Sequence, residues 1–407
     1  MKAKNKKSKK SEKLWQKDGA TKLNPQIEDY TVGTDYILDQ ELVAYDALAS
    51  IAHAKMLHKI GVLSSSEKIS LVKGLTRIIM DSKNGKFKIS KTDEDCHTAI
   101  ENFLTKMYGD VGKKIHTGRS RNDQVLVALR LHMKEKLVQG IETAEGLVRA
   151  LESQARKYSK TPMPGYTHMQ RAMPSTVSLW LESFSASLKD DLILLQSALK
   201  IIDQNPLGSV AGYGENILGL DRKMTSKILK FAKVQENPMY CALSRGKFEL
   251  LTLQSLSPVM FDLGKLAADL MLFTTKEYGF FSLPNQFTTG SSVMPQKHNY
   301  DILELVRANS SLYNGILVQS QNVIDKLPSG YNRDFQLTKE PYLRGTKLVL
   351  ETIAIMTLVV QNLKINNANL EAACTPELYA TEEAYKLVRE QKIPFRDAYK
   401  IIGKKYL

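Results

Sequence analysis

The stretch from Thr288 to Arg307, TTGSSVMPQKHNYDILELVR, carries the densest set of groups able to do chemistry. Gly290 lets the chain turn, and Ser291 and Ser292 set two hydroxyls on that turn. Lys297 and Asn299 add an ammonium and an amide just ahead of an amphipathic helical pattern that contains Glu304. Donors placed at a helix start suit a carboxylate whose negative charge grows during a reaction. Taken singly, a Gly-Ser turn with a surface lysine is ordinarily only a turn. The weight therefore rests on what other segments supply.

Four further segments supply matching groups. GKKIHTGRSRNDQV, residues 112–125, offers Ser120, Arg121 and Asn122; GYTHMQRAMP, residues 165–174, offers Thr167, His168 and Gln170. GYNRDFQLTKE, residues 330–340, offers Tyr331, Gln336 and Lys339, and DEDCHTAIE, residues 93–101, contains His97. Arginine and lysine donors among neutral hydroxyls and amides are what a substrate with two or three carboxylates requires. In isolation Arg121 would read as a helix-end salt bridge, His168 as a satisfied loop histidine, and Glu304 as a helical surface residue.

Together these segments resemble the argininosuccinate lyase family of the fumarase/aspartase superfamily. Residues 288–307 resemble the superfamily signature GSSxMPxKxNP, with Tyr300 where a proline usually stands. The resemblance runs from about Leu14 to Gly403 in the same order. It implies β-elimination of argininosuccinate to arginine and fumarate, with no cofactor and no metal. By resemblance Ser291 is the base, Lys297 and Asn299 stabilise the dianionic carboxylate, and His168 shares a proton with Glu304. Ser120, Arg121, Asn122, Thr167, Gln170 and Lys339 would be substrate donors, Tyr331 and Gln336 would hold the arginine portion, and His97 would orient Arg121 or its neighbours. A serine that contacts substrate is implied in a segment similar to YTVGTD, where this chain has Thr34 or Asp35. Two alternatives stand beside this reading: a sister lyase acting on adenylosuccinate, aspartate or a carboxymuconate, and a non-catalytic, crystallin-like structural homologue. The GRSRNDQ and YNRDFQ segments argue against the sister lyase.

Long helices must position these loops. The stripe Val177, Leu181, Phe184, Leu188, Leu192, Leu195, Leu199 and Ile202 predicts one, and Leu129 to Leu151 repeats the pattern. Fuller apolar coverage over 259–273 and 343–360 predicts helices inside a bundle. The expected fold is all-α, a three-domain fumarase/aspartase-type arrangement with a shortened C-terminal domain. The expected parts are a Lys-rich tail over 1–13, an N-terminal helical domain over 14–117, a long-helix bundle over 118–370 and a helical remainder over 371–407. Gly/Pro-rich punctuation at 163–174, 205–219, 283–295 and 327–331 predicts loops. The helices carry more apolar surface than one small bundle hides, and rods rising about 1.5 Å per residue separate the loop motifs. A homotetramer with active sites shared between copies is therefore expected.

The bulk composition fits that picture. No run approaches the roughly 18 apolar residues of a membrane span, and the lysines of the tail lack the apolar stretch of a secretory signal. A formal charge of +14 owes much to that tail, and no nucleic-acid motif accompanies it. Cys96, Cys241 and Cys374 are far apart, without ligand spacing or a disulfide framework, which fits a cytoplasmic protein.

Overall fold

The computed structural model describes residues 24–406, so the expected tail over 1–13 lies outside the described residues. The architecture is all-α. After two short helices, Pro25–Val32 and Asp35–Leu38, come α1 (Val43–Lys59), α2 (Ser65–Lys83) and α3 (Cys96–Tyr108). A capping box starts α2: Ser64 Oγ accepts from the Glu67 amide, and the Glu67 carboxylate accepts from the Ser64 amide at 2.8 Å. A Cβ at Gly74 would stand 2.7 Å from Leu104, so the bare backbone there lets α2 close on α3.

Long helices follow: α4 (Arg121–Lys157), α5 (Val177–Ile202), α6 (Lys247–Phe273), α7 (Asp301–Ile324) and α8 (Lys339–Gln361). The chain forms two compact units, and each of these helices contributes to both. Unit 1 takes the chain up to Val138 with Ser197–Leu253 and Leu317–Arg344; unit 2 takes Gln139–Gln196, Gln254–Ile316 and the chain from Gly345 on.

A buried arginine organises unit 1. Arg130 donates to the Gln204 carbonyl at 2.9 Å and to Ser244 Oγ at 3.0 Å, while its guanidinium lies 4.2 Å from the Phe248 ring centroid. Burial pulls its pKa down to about 10 against the opposing charge of Glu249, and these acceptors take up both terminal nitrogens of the guanidinium. In unit 2 the helices are tied by Trp180 Nε1 donating to Asp269 at 3.0 Å and by Gln154 Nε2 donating to the Val360 carbonyl at 3.0 Å. Trp180 also stacks on Phe281, centroids 5.1 Å apart. Helices α9 (Ala380–Gln391) and α10 (Phe395–Gly403) pair through stacked Tyr385 and Phe395 rings. Among the described residues, no helix is long and apolar enough to cross a membrane.

Two sequence expectations need correction. Residues 163–174, expected as a loop, belong to an antiparallel hairpin of β1 (Pro162–Thr167) and β2 (Gln170–Thr176). Pro162, Pro164 and Pro174 hide the alternation that would signal strands, and two such strands need no sheet core. Helix α6 begins at Lys247, well before the expected start near residue 259, and carries Pro258 in its interior. Pro258 removes one helical donor, a cost of about 3 kcal/mol that packing of buried Leu253, Leu256, Val259 and Met260 offsets.

Candidate active site

The expected site residues fall into a pocket in unit 1 and two exposed turns in unit 2. The unit 1 pocket has a volume of about 150 Å³. His97, Arg121, Asn122, Tyr331, Gln336 and Lys339 all line it, joined by Asp35, which stands in the segment of the implied serine contact, and by Glu94, Asp95 and Arg245, which sequence reasoning did not single out as site residues. Ser120 lies one residue back, where its Oγ accepts from the Asn122 amide at 3.3 Å at the start of α4.

Acidic groups hold the pocket's cations in place. Arg121 Nε donates to Asp95 Oδ2 at 2.8 Å, its Nη2 donates to the same oxygen, and Glu94 lies 3.4 Å away. Asp95 has a second task as the N-cap of α3, accepting from the Thr98 amide at 2.8 Å. Burial works to raise the Asp95 pKa, but the charges of His97 and Arg121 with the Thr98 amide win and hold it down to about 2. His97 does not touch Arg121: its Nδ1 pairs with Asp46 at 2.8 Å, and Asp46 also faces Arg119 at 3.5 Å. The ring is buried, which opposes its charge, yet Asp46 pulls the pKa up. His97 thus steadies Arg119 through Asp46, and Asp95 is the side chain that fixes Arg121.

Lys339 is buried between Asp39 at 2.6 Å and Asp35 at 3.0 Å, and these carboxylates overcome its burial to raise its pKa. Burial raises the Asp35 pKa despite Lys339. Gln336 Nε2 donates to the Thr31 carbonyl at 3.1 Å, and Arg333 donates to the same oxygen at 2.7 Å, which ties the 330–340 segment to the chain before Asp35. Asp39, Cys96 and His97 also bring ligand-type atoms within 4.8 Å of one another, a grouping their spacing did not reveal. The Lys339 ammonium already meets Asp39, and His97 Nδ1 is committed to Asp46, so a metal ion would have to displace established pairs.

In unit 2 the β1–β2 hairpin presents Thr167 and Gln170 opposite each other, with His168 and Met169 as its two-residue turn. Both turn residues have positive φ, 51° and 61°, the backbone that a tight hairpin of this twist demands and that glycine or asparagine usually supplies. Holding two ordinary side chains there costs of order 1–3 kcal/mol each. Tyr166, its ring centroid 6.0 Å from Phe273 and 5.8 Å from Tyr278, anchors the strand below. Thr167, His168 and Gln170 are exposed.

The second turn joins β3 (Thr289–Gly290) to β4 (His298–Asn299). Ser291 Oγ accepts from the amides of Met294 at 3.1 Å and Val293 at 3.3 Å, two donors that favour an alkoxide over a hydroxyl. Lys297 closes the turn with its amide on the Met294 carbonyl at 3.1 Å and leaves its side chain exposed. Tyr300 precedes α7 and accepts from the Leu283 amide at 3.3 Å, a tie that proline would lack. Glu304 sits exposed in the first turn of α7. Among the described residues no hydrogen bond joins His168 to Glu304 within the chain.

An all-helical scaffold with donor-rich turns and a cation-lined pocket defines a lyase of the fumarase type, and comparison with known proteins agrees. Residues 9–312 match the lyase family model. Argininosuccinate lyase of Thermotoga neapolitana is 43% identical over 396 residues, covering 97% of this chain and 98% of that protein. Argininosuccinate lyase of Sorangium cellulosum is 45% identical over 393 residues, covering 97% of this chain and 90% of that protein. Among solved structures, EDDS lyase in complex with formate aligns with a TM-score of 0.79 at 26% identity, over 94% of this chain and 76% of that one. A class II fumarase from Schistosoma mansoni shares the fold alone, with a TM-score of 0.77 at 16% identity over 92% of this chain and 91% of that one. The chain belongs to the argininosuccinate lyase family.

Proposed function

We propose that the chain splits argininosuccinate into arginine and fumarate. The observation that carries this reading is the likeness over 97% of the chain to argininosuccinate lyases, taken with six family-type residues lining one pocket.

In this reading Ser291, as alkoxide, removes a proton from the carbon beside one succinyl carboxylate. Lys297 and Asn299 stabilise the second negative charge that builds on that carboxylate. The electron pair then forms the carbon–carbon double bond, and the C–N bond breaks with its pair leaving on the guanidino nitrogen. His168, with Glu304, returns a proton to that nitrogen. The two amides on Ser291 Oγ support its role as base, because they lower the cost of the alkoxide. The strained turn at His168 and Met169 supports a functional role for that histidine, since such backbone persists where the surroundings enforce it. Arg121, Asn122, Ser120, Thr167, Gln170 and Lys339 act as substrate donors, with Tyr331 and Gln336 on the arginine portion.

Assembly completes the site. Helix α4, 37 residues long, stands in the chain between Arg121 of unit 1 and the hairpin of unit 2 that bears His168. A homotetramer in the cytoplasm, with loops from different copies meeting, would gather the residues of both units into a single reaction centre. Exposed Leu305, Leu312 and Val318 on α7, and Leu179, Ile193 and Ile201 on α5, are the apolar side chains such an assembly would cover. The test is a substrate panel followed by the ultraviolet absorbance of fumarate. Argininosuccinate alone should give signal; signal only from adenylosuccinate or aspartate would assign a sister lyase, and none from any of the three would favour a non-catalytic homologue.

A further inference from the structure

Two buried acids meet inside unit 2. Asp191 stands on the buried stripe of α5, between Leu188 and Leu195, and is 6% exposed; Asp262 stands on the buried stripe of α6, between Val259 and Leu266, and is 8% exposed. The two helices run antiparallel here. Trp180 meets Asp269, and two turns further along α5 the Ser187 hydroxyl donates to Asp262, two turns back along α6. Asp191 follows one turn past Ser187 on the same face of α5.

Each acid has its Oδ2 sealed from solvent with no hydrogen-bond partner. A carboxylate in that state is costly, and two side by side are costlier, because burial and like charge both oppose ionisation. Among the described residues, the charges that act on the pair are Asp190, on α5 itself, and Lys265, on α6; none comes from α4, α7 or α8. On α4, Glu152 is taken by Lys189 at 2.6 Å, and α7 meets α6 through neutral Ser310 at Gly264. Burial raises the pKa of both acids. Asp262 has the Ser187 hydroxyl and Lys265 to favour its charge, whereas Asp191, with burial, Asp262 and Asp190 all against ionisation, is pushed up to about 7.

We propose that Asp191 and Asp262 share one proton across the α5–α6 contact, Asp191 donating its O–H to the Asp262 carboxylate, so that the pair is a pH-sensitive latch of unit 2. One such bond satisfies both stranded oxygens. The latch joins the two helices that support the hairpin of His168: α5 starts directly after β2, and α6 ends at Phe273, on which Tyr166 of the hairpin packs. Loss of the proton sets two carboxylates against each other and loosens that support. The folded pKa of Asp191 lies above the unfolded 3.8, so the folded chain keeps a proton that the unfolded chain has released. Stability from the pair therefore falls as pH rises from about 4 to about 7 and is level above that.

Thermal unfolding of the full-length protein between about pH 4.5 and pH 9 tests the latch, with isosteric Asp191→Asn as a side chain that carries its N–H donor at every pH. The variant should nearly match the parent at about pH 4.5, gain on it up to about pH 7, and melt about 3 °C or more higher at about pH 8. The infrared spectrum of the parent minus that of the variant should contain a protonated-carboxyl band that fades with a midpoint of about 7. Asp262→Asn removes the neighbouring charge and should move the fading of that band to lower pH, a comparison with the parent that stands even where Asp191→Asn fails to fold. An unmoved band in Asp262→Asn would overturn the proposal, as would an Asp191→Asn protein less stable than the parent at about pH 8 or a gap between them that ignores pH. Potassium or magnesium chloride that raises the melting temperature of the parent at about pH 8, but not that of Asp191→Asn at equal ionic strength, would put a metal cation in place of the proton and overturn it likewise.

Discussion

Replacing Asp95 by asparagine separates the two tasks of that side chain. Asparagine keeps an oxygen to accept from the Thr98 amide, so the cap of α3 survives, but the charge facing Arg121 and His97 is lost. A carboxyl held at about 2 against an ordinary 3.8 contributes about 2.4 kcal/mol to folding at neutral pH. Arg121 is 38% exposed, so solvent screening reduces that to about 1–2 kcal/mol. Because the folded pKa is depressed, this stabilisation is present above the unfolded value of 3.8 and disappears as pH falls through about 2. Urea unfolding followed by circular dichroism should show the Asp95→Asn deficit at pH 7, and the deficit should shrink below pH 4. Asp95→Ala should cost about 1 kcal/mol more, from the lost cap. An Asp95→Asn protein as stable as the parent at pH 7 would refute the electrostatic argument, and an alanine variant no worse than the asparagine one would refute the capping argument.

Other substitutions probe the remaining parts. Lys297→Met should lower kcat far more than it raises KM, because the ammonium matters most as charge develops; normal turnover with a greatly raised KM would make Lys297 a binding group only. Ser291→Ala should fold normally and lose more than about nine-tenths of its turnover, a loss above roughly 1.4 kcal/mol, and a smaller loss would move the base role elsewhere. Lys339→Met leaves Asp35 and buried Asp39 without their cation and should destabilise by about 3–5 kcal/mol in urea unfolding; less than about 1 kcal/mol would show that the pair is not buried as described. Inactive His168→Asn and Ser291→Ala proteins, dissociated and reassociated together, should regain activity through sites free of either substitution. Subunit exchange without recovery would give each chain its own complete site.

Periodicity located the scaffold well where apolar residues recur without interruption. The stripe from Val177 to Ile202 matches α5 end to end, because a hairpin precedes it and no proline divides it. Pro258 reads as a breaker, so the first part of α6 was invisible to a rule based on local backbone preference, although buried neighbours outweigh that preference. The donors His97, Arg121, Gln336 and Lys339 were legible as chemistry and do line one pocket. The acids that restrain them were not. Asp95 looks like any helix cap, and Asp35 stood out only as a replacement for the implied serine, not as a partner of Lys339; tertiary contact alone brings each acid to its cation across 26 and 304 residues of chain. The turn at His168 carried no glycine or asparagine to announce its left-handed backbone.

The most direct test is a product balance on the purified protein. Argininosuccinate is incubated with it, and arginine and fumarate are quantified together by proton nuclear magnetic resonance. The two products should accumulate in equal amounts as substrate disappears, and the Ser291→Ala protein should leave the substrate intact. Undiminished argininosuccinate in the presence of well-folded parent protein would contradict the account.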